Sequence, residues 1–523
     1  MMTEVKRSSV QINESLWGDL DTLSLAKKSS YTPTKYTIPV PLKDTHYLLF
    51  NGLTGAIDII NANDYKRLFC AEGGKLLYGG TPRKVGGAVT LSDSDKVLLD
   101  RGYFLTPEEE EQIERKLNAQ ISVEADKEPM CFFLAPTNYC SVGCTYCIES
   151  ENPKSAQRVS LDPERVDAAF NSMATLMKKF NRDSGYILLF GGEPMQPYSF
   201  ETVQNILDAC RKTNLKIFCF TSGISLKRFA PMLGSYLDVL LGVCVTLDGR
   251  PEFHDQKRAI KNGFNQASNG IDELLKYSIP TMIRTNVSKD SLDQISWLRN
   301  FYVERGWWQN NLCSFELNIL TNHGSFEGLD DECPTHTITA NFFLELMKIN
   351  SDYQKFRFVG LFSHLYYGVE KMKILNFHPE ELGLHAKVPR MYGCPSTGVF
   401  TFTLDADGSI RMCNEQVGSK DKPVGRFFPY FDLDEAHVKL WKNRTPDVLD
   451  LCKDCNHRFF CGGGCSLRSM RDSHESNEKD GYSDISNGIC GSLQQDFQDF
   501  FGSKADLLID QYEASSPIKD LKI

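Results

Sequence analysis

Short apolar runs alternate with longer amphipathic stretches between residues 128 and 325. Six of the apolar runs have the length of buried strands, and residues 163–179 and 200–212 repeat their apolar positions with the period of a helix. This alternation of strand and helix predicts a parallel sheet of the α/β class, curled as a partial (βα)6 barrel of the TIM type. The predicted strands are residues 132–134, 186–190, 216–220, 239–245, 281–285 and 315–319.

A different pattern precedes the barrel, in residues 35–120. Strand-like runs come first, and the turn signals Asn51-Gly52 and Thr54-Gly55 punctuate them. Helical patterns follow, and Thr106 can cap the last of them, whose acidic first turn suits the positive end of a helix dipole. The order predicts a small α+β domain. Its predicted strands are residues 36–42, 47–50 and 56–60, and its predicted helices are residues 63–70, 92–100 and 107–118.

The last part of the chain has little apolar periodicity and is rich in cysteine and glycine. We therefore expect this region to fold around bound metal more than around a hydrophobic core. The first residues are polar and without periodicity, as expected of a mobile segment. The predicted order is a mobile segment (1–34), a small α+β domain (35–120), the barrel (128–325), a helical bridge (326–390), the cysteine-rich domain (391–500) and a tail (501–523).

Composition and charge narrow the class of protein. The chain has 523 residues, of which 41% are hydrophobic and 24% charged, as in ordinary globular proteins. Its formal net charge is -10 without a long basic stretch, which argues against nucleic acid as a partner. It shows neither a signal sequence nor an apolar run that could span a membrane, so we expect a cytoplasmic protein. The 17 cysteines of such a chain favour metal ligation over disulfides.

Three of the cysteines stand directly after the first predicted barrel strand, in Cys140-Ser-Val-Gly-Cys144-Thr-Tyr-Cys147. Cysteines at this spacing can ligate three irons of a four-iron cluster and leave the fourth iron open to another ligand. The motif resembles the cluster loop of the radical S-adenosylmethionine (radical SAM) enzymes. The resemblance implies a [4Fe-4S] cluster on Cys140, Cys144 and Cys147, with S-adenosyl-L-methionine on the open iron and Tyr146 in the cofactor site.

A second motif, Gly191-Gly192-Glu193-Pro, follows the second predicted strand. Its glycines allow the backbone to approach a ligand closely, and Glu193 places a carboxylate at the end of the strand. The motif resembles the GGEP motif of the same family, which implies that Gly191, Gly192 and Glu193 bind the methionine amino group. Residues 221–223, after the third strand, resemble the family's T-N-G turn, to which the sequence assigns no contact.

A third motif, Val245-Thr246-Leu-Asp-Gly, follows the fourth predicted strand, and His254-Asp-Gln-Lys-Arg258 comes soon after it. The pair resembles the S-L-D-G-P and H-D-x-x-R segments of the SPASM-type branch of the family. The resemblance implies that Thr246 lies near the ribose and that Arg258 binds the methionine carboxylate, as a guanidinium can through two hydrogen bonds. For His254, a place in a surface turn or helix cap remains as reasonable as a direct role.

The cysteine-rich region carries seven cysteines whose order resembles the SPASM domain, and residues 404–413 resemble its D-x-D-G-x-x-x-x-C hairpin. The resemblance implies two auxiliary [4Fe-4S] clusters. One of them lacks an evident fourth ligand and has either an open iron or the distant Cys333. A structural zinc site is the alternative. The implied ligands are Cys452, Cys455, Cys461 and Cys490 for one cluster, and Cys394, Cys413 and Cys465 for the other.

These resemblances imply an oxidoreductase that cleaves S-adenosylmethionine to a 5′-deoxyadenosyl radical, which then abstracts hydrogen from a peptide or protein. The order of elements in residues 35–120 also resembles the winged-helix leader-recognition domain of peptide-modifying enzymes, where a leader adds as a strand to a sheet edge. The implied function is maturation of a ribosomally made precursor peptide (a RiPP), with a thioether as the foremost cross-link. The implied partners are that peptide and a flavodoxin- or ferredoxin-type electron donor.

Three alternatives remain open from the sequence. An anaerobic sulfatase maturase, which makes formylglycine, would carry an acidic base directly after the second hairpin cysteine, where this chain has Asn414. A peptide epimerase would need a hydrogen donor, typically a cysteine, that the sequence does not place. An electron carrier without radical chemistry would have no use for Glu193, Thr246 and Arg258 as a set that binds a sulfonium cofactor.

Overall fold

The computed structural model describes the barrel almost completely and the flanking regions in part. Within the described residues it contains two sheets, one of three strands and one of eleven. The described residues are 31–53, 56–70, 90–92, 95, 98–99, 101–106, 108–116, 129–149, 159–322, 329, 333–334, 341–342, 355–359, 394–398, 401–453, 455–474 and 493–515.

The smaller sheet lies in the N-terminal region and is antiparallel. Its strands are β1 (Thr37–Leu42), β2 (His46–Asn51) and β3 (Ile57–Asn61), in that order, and helix α1 (Ala62–Phe69) follows. Residues 108–116 form helix α2. Thr106 caps α2 as predicted, because its hydroxyl accepts a hydrogen bond from the Glu109 N–H at 3.2 Å and its own N–H donates to the Glu109 carboxylate at 2.7 Å. The segments predicted at 1–34 and 92–100 lie largely outside the described residues.

The larger sheet is built on the six predicted strands, which run parallel and pair in chain order. Side chains that face the surrounding helices, such as Ile187 and Val243, are fully buried in one continuous core. The predicted partial-barrel α/β class is therefore confirmed. The six strands are β4 (Met130–Leu134), β5 (Gly185–Leu189), β6 (Lys216–Thr221), β7 (Leu240–Thr246), β8 (Thr281–Val287) and β9 (Cys313–Ile319).

The barrel helices begin and end where local chemistry favours it. The first of them follows Asp162, whose carboxylate accepts from the Arg165 N–H at 2.8 Å, and it has a proline at its first position. The second ends at Asn214, which adopts the left-handed conformation that closes many helices. The helices are α3 (Pro163–Lys179), α4 (Phe200–Thr213), α5 (Leu226–Leu233), α6 (Pro251–Lys257), α7 (Gly263–Lys276) and α8 (Gln294–Glu304).

A further parallel strand, β10 (Phe356–Val359), pairs with β9 at the edge of the sheet. It lies within residues 326–390, which the sequence predicted to be a helical bridge. Phe356 is buried, and its ring packs against those of Trp308 and Phe315 at centroid distances of 5.3 and 6.0 Å. The strand has only four residues, of which three are apolar, and so short a segment suits a strand as well as a helix, so periodicity alone could not identify it.

The cysteine-rich region joins the barrel sheet. Strand β11 (Thr401–Leu404) pairs in parallel with β4, and β12 (Ser409–Arg411) returns antiparallel to it. Phe402 and Ile410 are fully buried in the barrel core, so a hydrophobic core supports a region for which the sequence predicted support mainly from metal. The remaining elements of this region are β13 (Gly425–Arg426), β14 (Asp432–Leu433), α9 (Pro395–Gly398), α10 (Glu435–Lys442), α11 (Arg458–Cys461) and α12 (Ser466–His474).

Two helices at the end of the chain, α13 (Leu493–Gly502) and α14 (Ala505–Ser515), pack on β1. Phe500, Phe501 and Leu508 are fully buried there and extend the barrel core to the N-terminal sheet. The predicted tail is therefore partly a core element. No helix in the described part of the chain is long and apolar enough to cross a membrane.

The pairing of β11 with β4 predicts that the hairpin and the barrel unfold together. Phe402 is fully buried, and its ring stacks on that of Phe180 at 5.6 Å. We expect Phe402→Ala to lower the free energy of unfolding by about 3–5 kcal/mol, because it leaves a cavity in the shared core. Tyr430→Ala, at a side chain that is 67% exposed, should change it by less than about 0.5 kcal/mol. Denaturant unfolding followed by circular dichroism measures both, and a separate early transition for the Phe402→Ala hairpin would contradict a shared core.

Candidate functional site

Four sequence motifs meet at one edge of the parallel sheet. The three-cysteine loop follows β4, residues 191–193 follow β5, residues 221–223 stand at the end of β6, and Thr246 ends β7. The carboxyl ends of parallel barrel strands lie at the same edge, which is where enzymes of this architecture carry their active sites. The structure therefore brings these predicted residues into one region.

Two glycines let the β5 turn pack directly on the residues that lead into the cysteine loop. Gly191 and Gly192 have φ angles of +97° and +53°, a region that L-residues with side chains seldom adopt. A Cβ atom on Gly192 would lie 2.5 Å from the Tyr139 carbonyl oxygen and 2.8 Å from that of Thr137. The motif needs glycine here because two backbones meet without room for a side chain.

The Glu193 carboxylate is held in place from two neighbouring strands. It is buried, and it accepts hydrogen bonds from the Thr221 hydroxyl at 2.5 Å, the Ser222 N–H at 2.6 Å and the Met195 N–H at 3.0 Å. This assigns a contact to the turn after β6, which the sequence left without one. An ionised carboxylate can accept about four hydrogen bonds, so Glu193 keeps room for one more donor.

A network around Asp248 joins the cysteine loop to strands β7 and β8. The Tyr146 hydroxyl donates to one Asp248 oxygen, and Arg258 donates to the Tyr146 oxygen at 3.0 Å and to Asp248 at 3.4 Å. The other Asp248 oxygen accepts from the Asn286 backbone and side-chain amides at 3.0 and 3.2 Å. All three residues of the Tyr146–Asp248–Arg258 group are buried, so the charges are compensated inside the protein.

Burial fixes the protonation of this group. It raises the pKa of the Tyr146 hydroxyl well above its ordinary value, so that Tyr146 remains a hydrogen-bond donor. Burial alone would lower the pKa of Arg258. The facing groups Tyr146, Cys144 and Asp248 raise it by more in sum, so the pKa of Arg258 lies well above its ordinary value. A permanent cation therefore lies beside the cysteine loop.

Helix α6 carries His254 at its buried face and holds the cysteine loop at its end. The Gly143 and Thr145 N–H groups donate to the carbonyls of Arg258 and Lys257 at 3.0 and 2.9 Å. His254 is buried, and its Nδ1 accepts from the Asp248 N–H at 3.2 Å. His254 therefore supports Asp248 and does not sit in a surface turn.

The inner face of the sheet is aromatic below this edge. Four partly buried phenylalanine rings form a chain of edge-on contacts, with centroids 5.4 to 6.0 Å apart. The guanidinium of Arg284 lies over one of the rings at 4.8 Å and pairs with buried Glu316 at 2.5 Å. The face combines a large apolar surface with one ion pair. The four rings belong to Phe133, Phe190, Phe218 and Phe220.

The cysteines of the C-terminal region fall into two neighbouring groups. Burial, then the Glu415 carboxylate and then the nearby thiols of Cys394 and Cys465 raise the pKa of Cys413 well above its ordinary value. Arg444 lies between the groups, buried, and donates to the carbonyls of Gly463 and Gly464 at 3.0 and 3.2 Å. The second group has Cys452, Cys455 and Cys461 in the described chain, and Cys490 lies outside the described residues.

Cys333, which the sequence offered as a distant fourth ligand, lies beside the first cysteine loop. It packs against a small apolar cluster formed by Tyr146, Leu320 and Leu329, which Cys144 also contacts. This position places a further thiol near the edge where the four motifs meet.

Comparison with known families agrees with this geometry. Residues 134–296, which contain the three-cysteine loop, Glu193, Thr246 and Arg258, match the family model of the radical SAM superfamily. The chain contains a radical SAM domain. The matched residues include all four motifs at the carboxyl edge of the sheet.

The relatives of this chain differ in how much of it they match. The sporulation killing factor maturation protein SkfB of Bacillus subtilis (strain 168) is 24% identical over 168 residues, which are 32% of this chain and 38% of SkfB. The chain therefore spans well under half of SkfB's length. The AdoMet-dependent heme synthase of Methanosarcina barkeri (strain Fusaro / DSM 804) is 27% identical over 345 residues, which are 63% of this chain and 89% of that enzyme.

Solved structures of similar fold have low sequence identity. The structure of anSMEcpe with bound AdoMet and Cp18Cys peptide is 17% identical, with a TM-score of 0.48, and covers 74% of this chain and 100% of that one. The structure of Streptococcus suis SuiB bound to precursor peptide SuiA is 13% identical, with a TM-score of 0.47, and covers 88% of this chain and 100% of that one.

The donor set of the radical SAM domain fits a four-iron cluster and its cofactor. Burial raises the pKa of Cys147 to about 12 and also raises those of Cys140 and Cys144, so bound cations are needed to hold these thiols as thiolates. Within the described chain no three metal-binding side chains converge on a single ion, whereas in a cluster each cysteine ligates its own iron. The buried Ser222 hydroxyl, whose backbone N–H donates to Glu193, has no hydrogen-bond partner among the described residues, so a polar ligand could satisfy it.

Several residues of the site escaped the sequence motifs. Asp248 stood inside a quoted motif without a role, and Asn286 lies beside it only after folding. Glu149, which follows the cysteine loop, accepts from the Gly192 N–H at 2.8 Å, and burial raises its pKa to about 7. A carboxylate directly after a buried strand was the one signal that could have indicated Asp248.

The contact between Gly192 and the cysteine loop predicts a local effect of a single methyl group. We expect Gly192→Ala to displace Tyr139 and weaken S-adenosylmethionine binding at least tenfold, because the new Cβ overlaps two carbonyl oxygens. Gly306→Ala is the matched control: Gly306 also has a positive φ, of +73°, but a Cβ there meets nothing within 4 Å. Equilibrium dialysis of the reconstituted protein measures the affinity. Equal affinities in the two variants would mean that backbone strain, and not the contact, matters.

Buried His254 predicts a pH-dependent stability. Burial lowers its pKa from 6.5 to about 4, so the unfolded chain takes up a proton at a higher pH than the folded chain does. Its contribution to stability is complete above pH 6.5 and is lost as the pH falls towards 4, by up to about 3 kcal/mol. His254→Asn keeps an acceptor for the Asp248 N–H but has no titrating group. Unfolding curves between pH 4 and 7 should be steeper in pH for the wild type, and identical slopes would contradict a buried neutral histidine.

Proposed function

We propose that this radical SAM protein is a peptide maturase. It abstracts a hydrogen atom from a ribosomally made precursor peptide and installs a cross-link, with a thioether as the foremost candidate. One observation supports the proposed radical chemistry. The three-cysteine loop, Glu193 and Arg258 lie together at one buried edge of the sheet.

Each residue of the edge has a proposed role in holding the cofactors. When bound, a reduced four-iron cluster on Cys140, Cys144 and Cys147 and S-adenosylmethionine supply a carbon radical that can remove an unactivated hydrogen atom. Glu193 would accept a hydrogen bond from the methionine ammonium group at its remaining acceptor position, and Arg258 would bind the methionine carboxylate. Thr246, Tyr146, Gly191 and Gly192 complete the proposed site, and burial keeps water from it.

The small N-terminal sheet supports a peptide as the substrate. In the described chain β3 pairs with β2 alone, so its other edge presents backbone groups to which an extended peptide can add as a strand. SkfB, by its name a maturation protein, supports the same class of substrate. The heme synthases match a larger share of the chain, and the sheet edge is what favours a peptide over a porphyrin-type substrate.

The C-terminal cysteines are proposed to hold two auxiliary [4Fe-4S] clusters. Cys394, Cys413 and Cys465 would hold one with an open iron, which can bind a substrate thiolate or accept the second electron of the reaction. The other group would use Cys490 as its fourth ligand. The electron that starts the reaction would come from a flavodoxin- or ferredoxin-type partner. The second group is Cys452, Cys455, Cys461 and Cys490.

Peptide epimerisation is the second candidate, because Cys333 lies beside Tyr146 and Cys144. A thiol next to the site where the substrate radical forms can return a hydrogen atom to it. Epimerisation leaves the peptide mass unchanged, so the two candidates are separable by one experiment.

The cofactor assignment predicts the outcome of replacing the three cysteines. We expect Cys140→Ala, Cys144→Ala and Cys147→Ala together to abolish reductive cleavage of S-adenosylmethionine, because the cluster loses its ligands. Cys210→Ala is the control, since Cys210 lies in the last turn of helix α4, is fully buried in the core and is none of the proposed cluster ligands. Chromatographic detection of 5′-deoxyadenosine measures the cleavage. Retained cleavage in the triple variant would refute the cofactor site.

The substrate class is tested by anaerobic co-expression with short peptides encoded beside the gene, followed by mass spectrometry. Loss of two hydrogens per event with a cysteine that no longer alkylates indicates a thioether. The same loss with every cysteine free indicates a carbon–carbon or carbon–oxygen link. An unchanged mass with deuterium uptake from the solvent indicates epimerisation, and an unchanged mass without uptake contradicts both candidates for those peptides.

A further inference from the structure

The N-terminal region contacts the segment that carries Cys455 and Cys461. Arg458 lies between these cysteines, and its side chain is only 4% exposed. One guanidinium nitrogen pairs with the Glu114 carboxylate of helix α2 at 2.6 Å and also donates to the Tyr36 hydroxyl, which donates in turn to Glu114. The other nitrogen donates to the Lys453 carbonyl at 2.9 Å. Arg458 therefore joins helix α2 to the cysteine segment.

Neighbouring residues extend the same contact. The Asn456 side-chain amide donates to the Thr37 carbonyl at 3.2 Å, at the start of β1. The rings of Phe459 and Tyr36 lie 4.9 Å apart, and the Arg458 guanidinium lies within 5.1 Å of both ring centres. Asn456, Arg458 and Phe459 all lie between Cys455 and Cys461, so most of this short stretch rests on the N-terminal region.

The stretch has little structure of its own that could fix the thiols. Its regular element is the four-residue helix α11, and the preceding short turn, Asp450–Cys452, ends before Cys455. A buried guanidinium is costly without its partner charge, and Glu114 is the carboxylate with which Arg458 forms an ion pair in the described chain. Removing the Glu114 charge should therefore shift the residues between the two cysteines.

We propose that Arg458 and Glu114 are positioning residues, through which the N-terminal domain holds Cys455 and Cys461 in place for an auxiliary cluster. The proposal rests on the proposed function, which supplies that cluster. It gives the predicted peptide-recognition domain a second role, because the domain supports a metal site as well as a sheet edge. Glu114 is distant from every cysteine in sequence and acts through Arg458.

The test measures auxiliary iron directly, in a protein whose first cluster is removed by Cys140→Ala, Cys144→Ala and Cys147→Ala. In that background, Glu114→Gln is expected to release iron to a chelator about tenfold faster and to change the electron paramagnetic resonance spectrum of the reduced cluster. Asp450→Asn is the matched control: it also removes one negative charge near Cys452, but Asp450 is 86% exposed and pairs only with exposed Lys453 at 2.6 Å in the described chain. It should release iron like the parent.

Two more variants keep the test independent of misfolding. Glu114→Asp retains the charge but shortens the side chain, and should accelerate release less than Glu114→Gln does. Arg458→Lys retains a cation that cannot serve Glu114, Tyr36 and Lys453 together, and should fall between the parent and Arg458→Gln. Combining Glu114→Gln with Arg458→Gln should release iron no faster than the single variants, because the same link is broken.

Each result has a distinct meaning. Release from Glu114→Gln at the rate of Asp450→Asn overturns the proposed coupling while leaving the auxiliary cluster intact. An effect of Arg458→Gln alone, with Glu114→Gln silent, also overturns it, since Arg458 would then act only within its own segment. Absence of iron in the parent background refutes the auxiliary cluster itself, and with it this inference. Acceleration by Glu114→Gln with a changed spectrum supports the coupling.

Discussion

The buried charge of Asp248 is the constraint on which the active edge depends. A carboxylate that is 1% exposed is stable only if other groups compensate for its lost water. Here the compensation comes from Tyr146 in the cysteine loop, Arg258 at the end of helix α6 and Asn286 in β8. Segments that are far apart in sequence must therefore assemble in one arrangement for the charge to be satisfied. The same arrangement holds the permanent cation of Arg258 beside the cysteine loop.

Much of the barrel was predictable because its strands are local apolar runs and its helices have a local period. The pairing of β11 with β4 was not predictable. It brings together Phe402 and Phe132, which are far apart in the chain, and local sequence patterns contain no information about such a contact. Strand β10 was missed for another reason, because a segment of four residues is too short for its apolar positions to distinguish a strand from a helix. The sequence did not predict that Phe402 and Ile410 extend the barrel core into the C-terminal region, and the dependence of that region on metal stays a prediction.

The sequence predicted the site residues that stand in recognisable motifs. It did not predict the contacts that form only when separate segments of the chain fold together. Glu193 was identified from its motif, but its hydrogen bonds with Thr221 and Ser222 were not, because the turn at residues 221–223 reaches Glu193 only when the two strands pack side by side. His254 shows that a motif can also leave the position of a residue undecided. Its motif position was compatible with a surface turn, and only burial against Asp248 shows that it supports the network.

The N-terminal domain cannot be treated as a detachable reader of the substrate. Its β3 edge is open to a peptide in the described structure, while β1 and helix α2 lie against the cysteine segment through Thr37, Tyr36 and Glu114. A truncation would remove the proposed peptide-binding edge and at the same time the Glu114 charge that pairs with Arg458. Loss of peptide modification after such a truncation would not by itself identify a leader-binding role. Substitutions confined to the outer edge of β3 separate the two roles, because they leave the α2 contact in place.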